Sequence, residues 1–201
     1  MNDPSDPDSP DPVRLLALLE FLDRAEALKD TLRSGATRRG RRESTAEHTW
    51  RLCLMAMLLT RETAECDPLR LLRICIVHDL GEAISGDVPA VDQAADDGRE
   101  ARERADLATL CAPLPEDLRA EILELWDDYA AGDSPEARTA KGLDKIETLL
   151  QHAVGDNPPG FDLGFNLGYG RTRTGATPLL RALRSMADAR TRRRMAAEAG
   201  A

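Results

Sequence analysis

The chain is short of aromatic residues, of histidine, of positive charge and of long apolar runs. Trp, Tyr and Phe together make up 3% of its 201 residues. A β-sandwich draws on Val, Ile, Tyr and Phe in alternation, whereas a composition rich in Leu and Ala favours packed helices. Asp and Glu outnumber Lys and Arg by 36 to 27, for a net charge of −9. Nucleic acid is bound mainly by neutralising phosphates, so a chain this acidic is not expected to bind it in general. The longest uninterrupted apolar run, Leu52 to Leu59, is eight residues, against the roughly 20 needed to cross a bilayer, and no membrane association is expected. The four cysteines, Cys53, Cys66, Cys75 and Cys111, show no C-x-x-C spacing. Free thiols in apolar helical runs behave as small hydrophobes, and a reduced, cytoplasmic protein is the expectation.

What is present points to one helical domain. Apolar residues make up 42% and charged residues 31%, the balance of a soluble globular chain. Residues 1–12 hold four Asp and four Pro and little to bury, without the basic and apolar stretches of a signal peptide, so they read as a disordered tail ahead of a domain over 13–201. Leu15, Leu18, Leu19 and Leu22 then keep one helical face to about Leu28. Residues 31–43 lose that period and carry two Gly and five Arg. Ser44 and Glu47 stand in the S-x-x-E relation that opens a helix. Asp67-Pro68 opens another, expected to run through His78 and Glu82 to a stop near Gly86.

Residues 91–106 read as a surface loop entering a solvated helix. Leu118, Ile122, Leu125 and Tyr129 mark the next helix, and Ser134-Pro135 begins one bearing Leu143, Ile146 and Leu150. Residues 155–176, with six Gly and two Pro, form a long irregular segment, a kind usually functional or disordered. Thr177-Pro178 starts a last, Arg-rich helix. No strand-like alternation stands out. The expected fold is all-α, six or seven helices in a single domain.

Only three histidines occur: His48, His78 and His152. A histidine on an apolar helix face is more often a hydrogen-bonded core residue than a ligand, and for His152 that reading is preferred. His48 follows Glu47, and His78 is joined to Asp79 with Glu82 one turn on, which raises the ligand reading for those two. Asp144 borders the Leu143–Ile146–Leu150 stripe; taken alone it reads as a helix-margin Asp paired with Lys141 or Lys145.

Together these residues reproduce a known pattern. His48, His78-Asp79 and Asp144, within RRESTAEHTWR (41–51) and IVHDLGEAISGDVPA (76–90), resemble the H…HD…D signature of HD-domain metal-dependent phosphohydrolases, in the branch containing the 5′-deoxynucleotidases. The resemblance runs from about Leu15 to Tyr169. It implies an all-helical fold with one divalent ion held by His48, His78, Asp79 and Asp144. Two imidazoles with two carboxylates suit a transition-metal ion such as Mn²⁺, Co²⁺, Fe²⁺ or Zn²⁺.

The resemblance also gives Glu82, of H-D-x-x-E, a catalytic role; a carboxylate there can orient water and accept its proton. Asp87 matches a carboxylate that contacts the sugar or leaving group, with a turn Asp bonding nearby amides as the competing reading. Among the five arginines, Arg33 stands where that branch places its phosphate-gripping Arg, and Arg38 is the second choice. That Arg is followed by Trp in the bacterial deoxynucleotidases and by Ser34 here, so the resemblance leaves the choice between deoxyribose and ribose open. Asn166 and Tyr169 resemble the C-terminal stretch of relatives and receive no role. The implied function is a phosphomonoesterase acting on nucleoside 5′-monophosphates or a similar small phosphate ester, and the implied assembly is a homodimer. Competing readings are a phosphodiesterase or nucleoside-triphosphate hydrolase on the same metal cradle, and a metal-stabilised binding or regulatory protein without turnover.

Overall fold

A computed structural model describes residues 11–59, 61–63, 65–92 and 98–200. Ten of the twelve residues expected to form a tail lie outside that range. The other two belong to the first helix: Asp11 caps it, accepting a hydrogen bond from Val13 N at 2.9 Å, and Pro12 is its first residue.

Seven helices of ten residues or more are present among the described residues. They are α1 (Pro12–Ala25), α2 (Thr45–Leu58), α3 (Pro68–Val77), α5 (Arg99–Leu110), α6 (Glu116–Ala131), α7 (Pro135–Val154) and α10 (Pro178–Ala199). Three single turns, α4 (Glu82–Ser85), α8 (Leu163–Asn166) and α9 (Arg171–Thr174), fill the connections. The caps follow the local sequence. Ser44 and Glu47 form a reciprocal capping box on α2, Asp67 accepts from Leu69 N and Arg70 N on α3, and Ser134 and Thr177 cap α7 and α10.

The long helix α7 is the axis of the molecule. Thirteen of its 20 residues are buried, and α2, α3, α6 and α10 pack around it. Leu52, Leu71, Ile74, Leu107, Leu110, Leu143, Ile146 and Leu180 fill the core with no exposed surface. Gly142 lets α10 come close, since a Cβ there would stand 2.4 Å from Leu180 Cδ1. No described helix is long and apolar enough to cross a membrane.

Two features depart from the sequence reading. The aperiodic stretch before α2 contains a small antiparallel hairpin, β1 (Leu32–Ala36) with β2 (Arg42–Ser44), pairing Leu32 with Ser44 and Ala36 with Arg42. No alternation announces it because tertiary bonds hold it. Gln151 Nε2 donates to Ala36 O at 2.7 Å, Ala36 N donates to Asn157 Oδ1 at 3.1 Å, and Arg42 donates to the carbonyls of Leu32 and Arg33. The helix expected to run from Pro68 through Glu82 instead stops at Val77. From His78 to Gly81 the chain tightens into i→i+3 bonds, Leu80 N to Val77 O and Glu82 N to Asp79 O among them.

Gly81, at the end of this turn, lies against α5, where a Cβ would sit 2.7 Å from Glu103 O. A backbone atom cannot swing away as a side chain can. Gly81→Ala is therefore expected to destabilise the protein by about 1–3 kcal/mol, seen as a fall of several degrees in melting temperature. An unchanged melting temperature would show that α5 gives way freely.

Candidate metal centre

Three distant stretches of chain meet beside α7. The first turns of α2 supply Thr45 and His48, the tight turn after α3 supplies His78 and Asp79, and the middle of α7 supplies Asp144. His48 is fully buried, His78 is 4% exposed and Asp144 3%. One ligand atom from each of His48, His78 and Asp144 lies within 4.8 Å of the other two. Asp79 Oδ2 stands 2.9 Å from His78 Nε2 and 3.8 Å from His48 Nε2. All four predicted ligands are thus brought together.

The hydrogen bonds decide which atoms are free. His78 Nδ1 donates to Cys75 O at 2.8 Å. His48 Nδ1 donates to Glu147 Oε2 at 2.5 Å. With the protons on Nδ1, both Nε2 atoms carry lone pairs, and both are buried without a hydrogen-bond partner. Asp144 divides its oxygens in the same way. Tyr129 Oη donates to Oδ2 at 2.9 Å and Lys145 Nζ lies 2.9 Å from it, while Oδ1 faces His48 Nε2 at 3.3 Å. An orphaned buried imidazole nitrogen is rare in a folded protein. Two of them aimed at a pair of carboxylates fit a divalent cation of the transition series.

Charge around the cluster is held in set states. Burial works against the Asp79 carboxylate, while Arg33 beside it favours the charged form. Burial and the neighbouring Asp79 push Glu82 up to about 9, and Thr45 Oγ1 donates to its Oε2 at 2.8 Å. Arg33 reaches in from β1, with Nη1 3.5 Å from Asp79 and 3.6 Å from Asp87 and Nη2 donating to Thr148 Oγ1 at 3.2 Å. Arg33, Asp79, Glu82, Asp87 and Asp144 share one cavity of about 730 Å³.

Arg38 does not join them. It is exposed at the tip of the hairpin turn, outside the cavity lining, where residues 37–40 lie beside Asp156, just past the end of α7. Arg41 is likewise used elsewhere, pairing with Glu47. His152 is a buried hydrogen-bonded residue, its Nδ1 3.0 Å from Asn166 Oδ1, and its ring also borders the cavity.

Sequence reasoning missed the carboxylate that serves His48. The adjacent Glu47 is occupied by the α2 cap. The partner is Glu147, fully buried, whose second oxygen accepts from Arg51 Nη1 at 3.0 Å. Its one sequence signal is position: a Glu one turn beyond Asp144, beside the apolar Leu143–Ile146–Leu150 stripe. The sequence marks Tyr129 only as a helix-face residue and does not single out Thr148.

A partner carboxylate of this kind fixes a ligand's tautomer and raises its basicity. Glu147→Gln keeps the shape but removes the charge, and is expected to weaken Mn²⁺ binding by about 10–100-fold in calorimetric titration. An unaltered affinity would show that Glu147 does not act through His48.

The chain was compared with known proteins. A family model described as the HD domain matches residues 25–183. The human 5′-deoxynucleotidase HDDC2 is 36% identical over 137 residues, 67% of this chain and 66% of that protein. The fission-yeast 5′-deoxynucleotidase hdd1, from Schizosaccharomyces pombe, is 32% identical over 145 residues, 69% of this chain and 72% of that one. The match to the human protein thus spans about two thirds of its length. Among solved structures, a predicted metal-dependent phosphohydrolase from Magnetospirillum magnetotacticum superposes with a TM-score of 0.70 at 29% identity, covering 91% of this chain and 93% of that one.

Proposed function

The chain belongs to the HD-domain family, and from that premise we propose that it is a metal-dependent phosphomonoesterase. Its substrates are nucleoside 5′-monophosphates, deoxynucleotides among them, or a similar small phosphate ester. The observation that carries this reading is the pair of orphaned buried Nε2 atoms of His48 and His78, converging with Asp79 and Asp144 next to Glu82 and Arg33. The 5′-deoxynucleotidase names of its relatives support the substrate class.

In this reading His48, His78, Asp79 and Asp144 hold one divalent ion, Mn²⁺, Co²⁺, Fe²⁺ or Zn²⁺. When bound, such an ion supplies Lewis acidity toward a phosphoryl oxygen and lowers the pKa of water toward neutrality. Arg33 balances the remaining phosphate charge, since its planar fork can grip two oxygens at once. Its ion pairs with Asp79 and Asp87 keep the guanidinium extended into the cavity. Glu82, steadied by Thr45, aligns the attacking water and takes its proton. Asp87 holds the sugar or assists the departing 5′-oxygen. The homodimer and the cytoplasmic setting belong to the same proposal, and sedimentation tests the first.

The product separates the readings. Inorganic phosphate released from nucleoside monophosphates, ribo or deoxy, supports the phosphomonoesterase. A released nucleotide, pyrophosphate or triphosphate would favour the phosphodiesterase or triphosphate hydrolase.

Glu82→Ala is expected to lower kcat by a factor on the order of 10²–10⁴ with metal content intact, and surviving activity would reassign the proton acceptor. Arg33→Ala is expected to raise KM for the monophosphate, and an unchanged KM would move the phosphate contact elsewhere. Chelation is expected to abolish turnover, with Mn²⁺, Co²⁺, Fe²⁺, Zn²⁺ and Mg²⁺ added back in turn to rank the ions. Metal binding with no turnover on any ester would favour the non-catalytic reading.

A further inference from the structure

Phosphate chemistry uses one end of the cavity and leaves its aromatic wall without a role. The chain has seven aromatic residues, 2 Trp, 2 Tyr and 3 Phe. Five of them, Trp126, Tyr129, Phe161, Phe165 and Tyr169, line this one cavity. Two serve the ligand cluster: Trp126 Nε1 donates to His78 O at 3.1 Å, and Tyr129 donates to Asp144. The other three fall within residues 161–169. Each is half-buried, and none is part of the hydrophobic core.

Their rings form a wall. Phe165 and Tyr169 stack with centroids 5.4 Å apart and planes 28° from parallel. Phe161 stands edge-on to His152 at 4.8 Å. The wall adjoins the ligand cluster, because Lys145 Nζ lies 5.4 Å from the Tyr169 centroid and 2.9 Å from Asp144 Oδ2.

The wall is also held in place. Arg184, 6% exposed on α10, donates to the carbonyls of Asn166, Leu167 and Tyr169 and to Thr174 Oγ1, and pairs with Asp188 at 2.7 Å. Asp162 caps the turn by accepting from Phe165 N at 3.1 Å. Half-exposed rings that are fixed by their backbone, yet lie outside the core, make a preformed surface for a flat partner. Stacking of this kind accepts any base, because every base has a π-face.

We propose that Phe161 and Phe165, the latter backed by the stacked Tyr169 ring, form the platform on which the base of the substrate stacks. The cavity would thereby select phosphates attached to an aromatic ring system over phosphates of bare sugars. The inference rests on the phosphomonoesterase reading and adds the part of the substrate that the phosphate site does not touch. It predicts tolerance among bases together with rejection of baseless esters.

The test compares kcat/KM for a panel of deoxynucleoside 5′-monophosphates with kcat/KM for 2-deoxyribose 5-phosphate, using metal-loaded protein. The wild type is expected to favour the nucleotides by at least about tenfold, the scale of one base–aromatic stack. Phe165→Ala is expected to collapse that ratio through KM for the nucleotides. Phe165→Leu keeps the apolar bulk without the ring and is expected to do the same, while Phe165→Tyr restores the ratio. Melting temperature and metal content check each variant's fold.

A wild type that hydrolyses nucleotide and sugar phosphate equally well overturns the platform and leaves the phosphomonoesterase standing. A ratio unmoved in correctly folded Phe165→Leu overturns it too. A wild type that releases phosphate from neither compound overturns the enzymatic reading itself, and the platform with it.

Discussion

The arrangement depends on burying carboxylates in the middle of one helix. Asp144 and Glu147 both lie on the inner side of α7, at 3% and 0% exposure, where an unpaired charge costs several kcal/mol. Each is compensated from a different direction. Tyr129 on α6 and the neighbouring Lys145 engage Asp144, while His48 and Arg51 on α2 engage Glu147. Those pairings fix the approach of α2 and α6 to α7. They also turn the His48 ring so that its Nε2 faces Asp144 and Asp79. The tight turn after α3 completes the set by bringing His78 and Asp79 to the same point.

Much of the ligand cluster was legible in the sequence because it is written locally. His78-Asp79 is a dipeptide, Glu82 follows within a turn, and the Ser44–Glu47 box marks the start of the helix that bears His48. The long helices were legible for the same reason, through apolar period and caps. What escaped was tertiary. The hairpin at 32–44 owes its pairing partly to Gln151 and Asn157, more than a hundred residues away. Glu147 meets His48 across a sequence separation of 99, and nothing near His48 distinguishes it from Glu47. The close approach of α5 to Gly81 is likewise tertiary, and no helical propensity encodes it. Arg33 and Arg38 sit five residues apart in the same basic run, and the fold alone separates the half-buried one from the exposed one.

The acidic composition acquires a local meaning in the folded chain. Arg33 is ringed by Asp79, Asp87 and Glu43 at 3.5–3.9 Å, so its charge is balanced before any ligand arrives. Deeper along the cavity, burial together with Arg173 and Lys145 pushes the Lys141 pKa down to about 8. The interior therefore alternates sign over a short distance although the chain as a whole is negative.

The two ends of that cavity are secured by different parts of the polypeptide. The metal-ligand candidates lie within residues 48–144, inside the stretch matched by the family model, which ends at residue 183. The aromatic wall hangs from Arg184, the very next residue, and from the helix that carries it. The same helix reaches the other end as well, since its Leu180 packs on Gly142, two residues before Asp144. A change in α10 is therefore felt both at the rings and at the carboxylate, so the terminal helix sets the spacing between the two ends of the cavity.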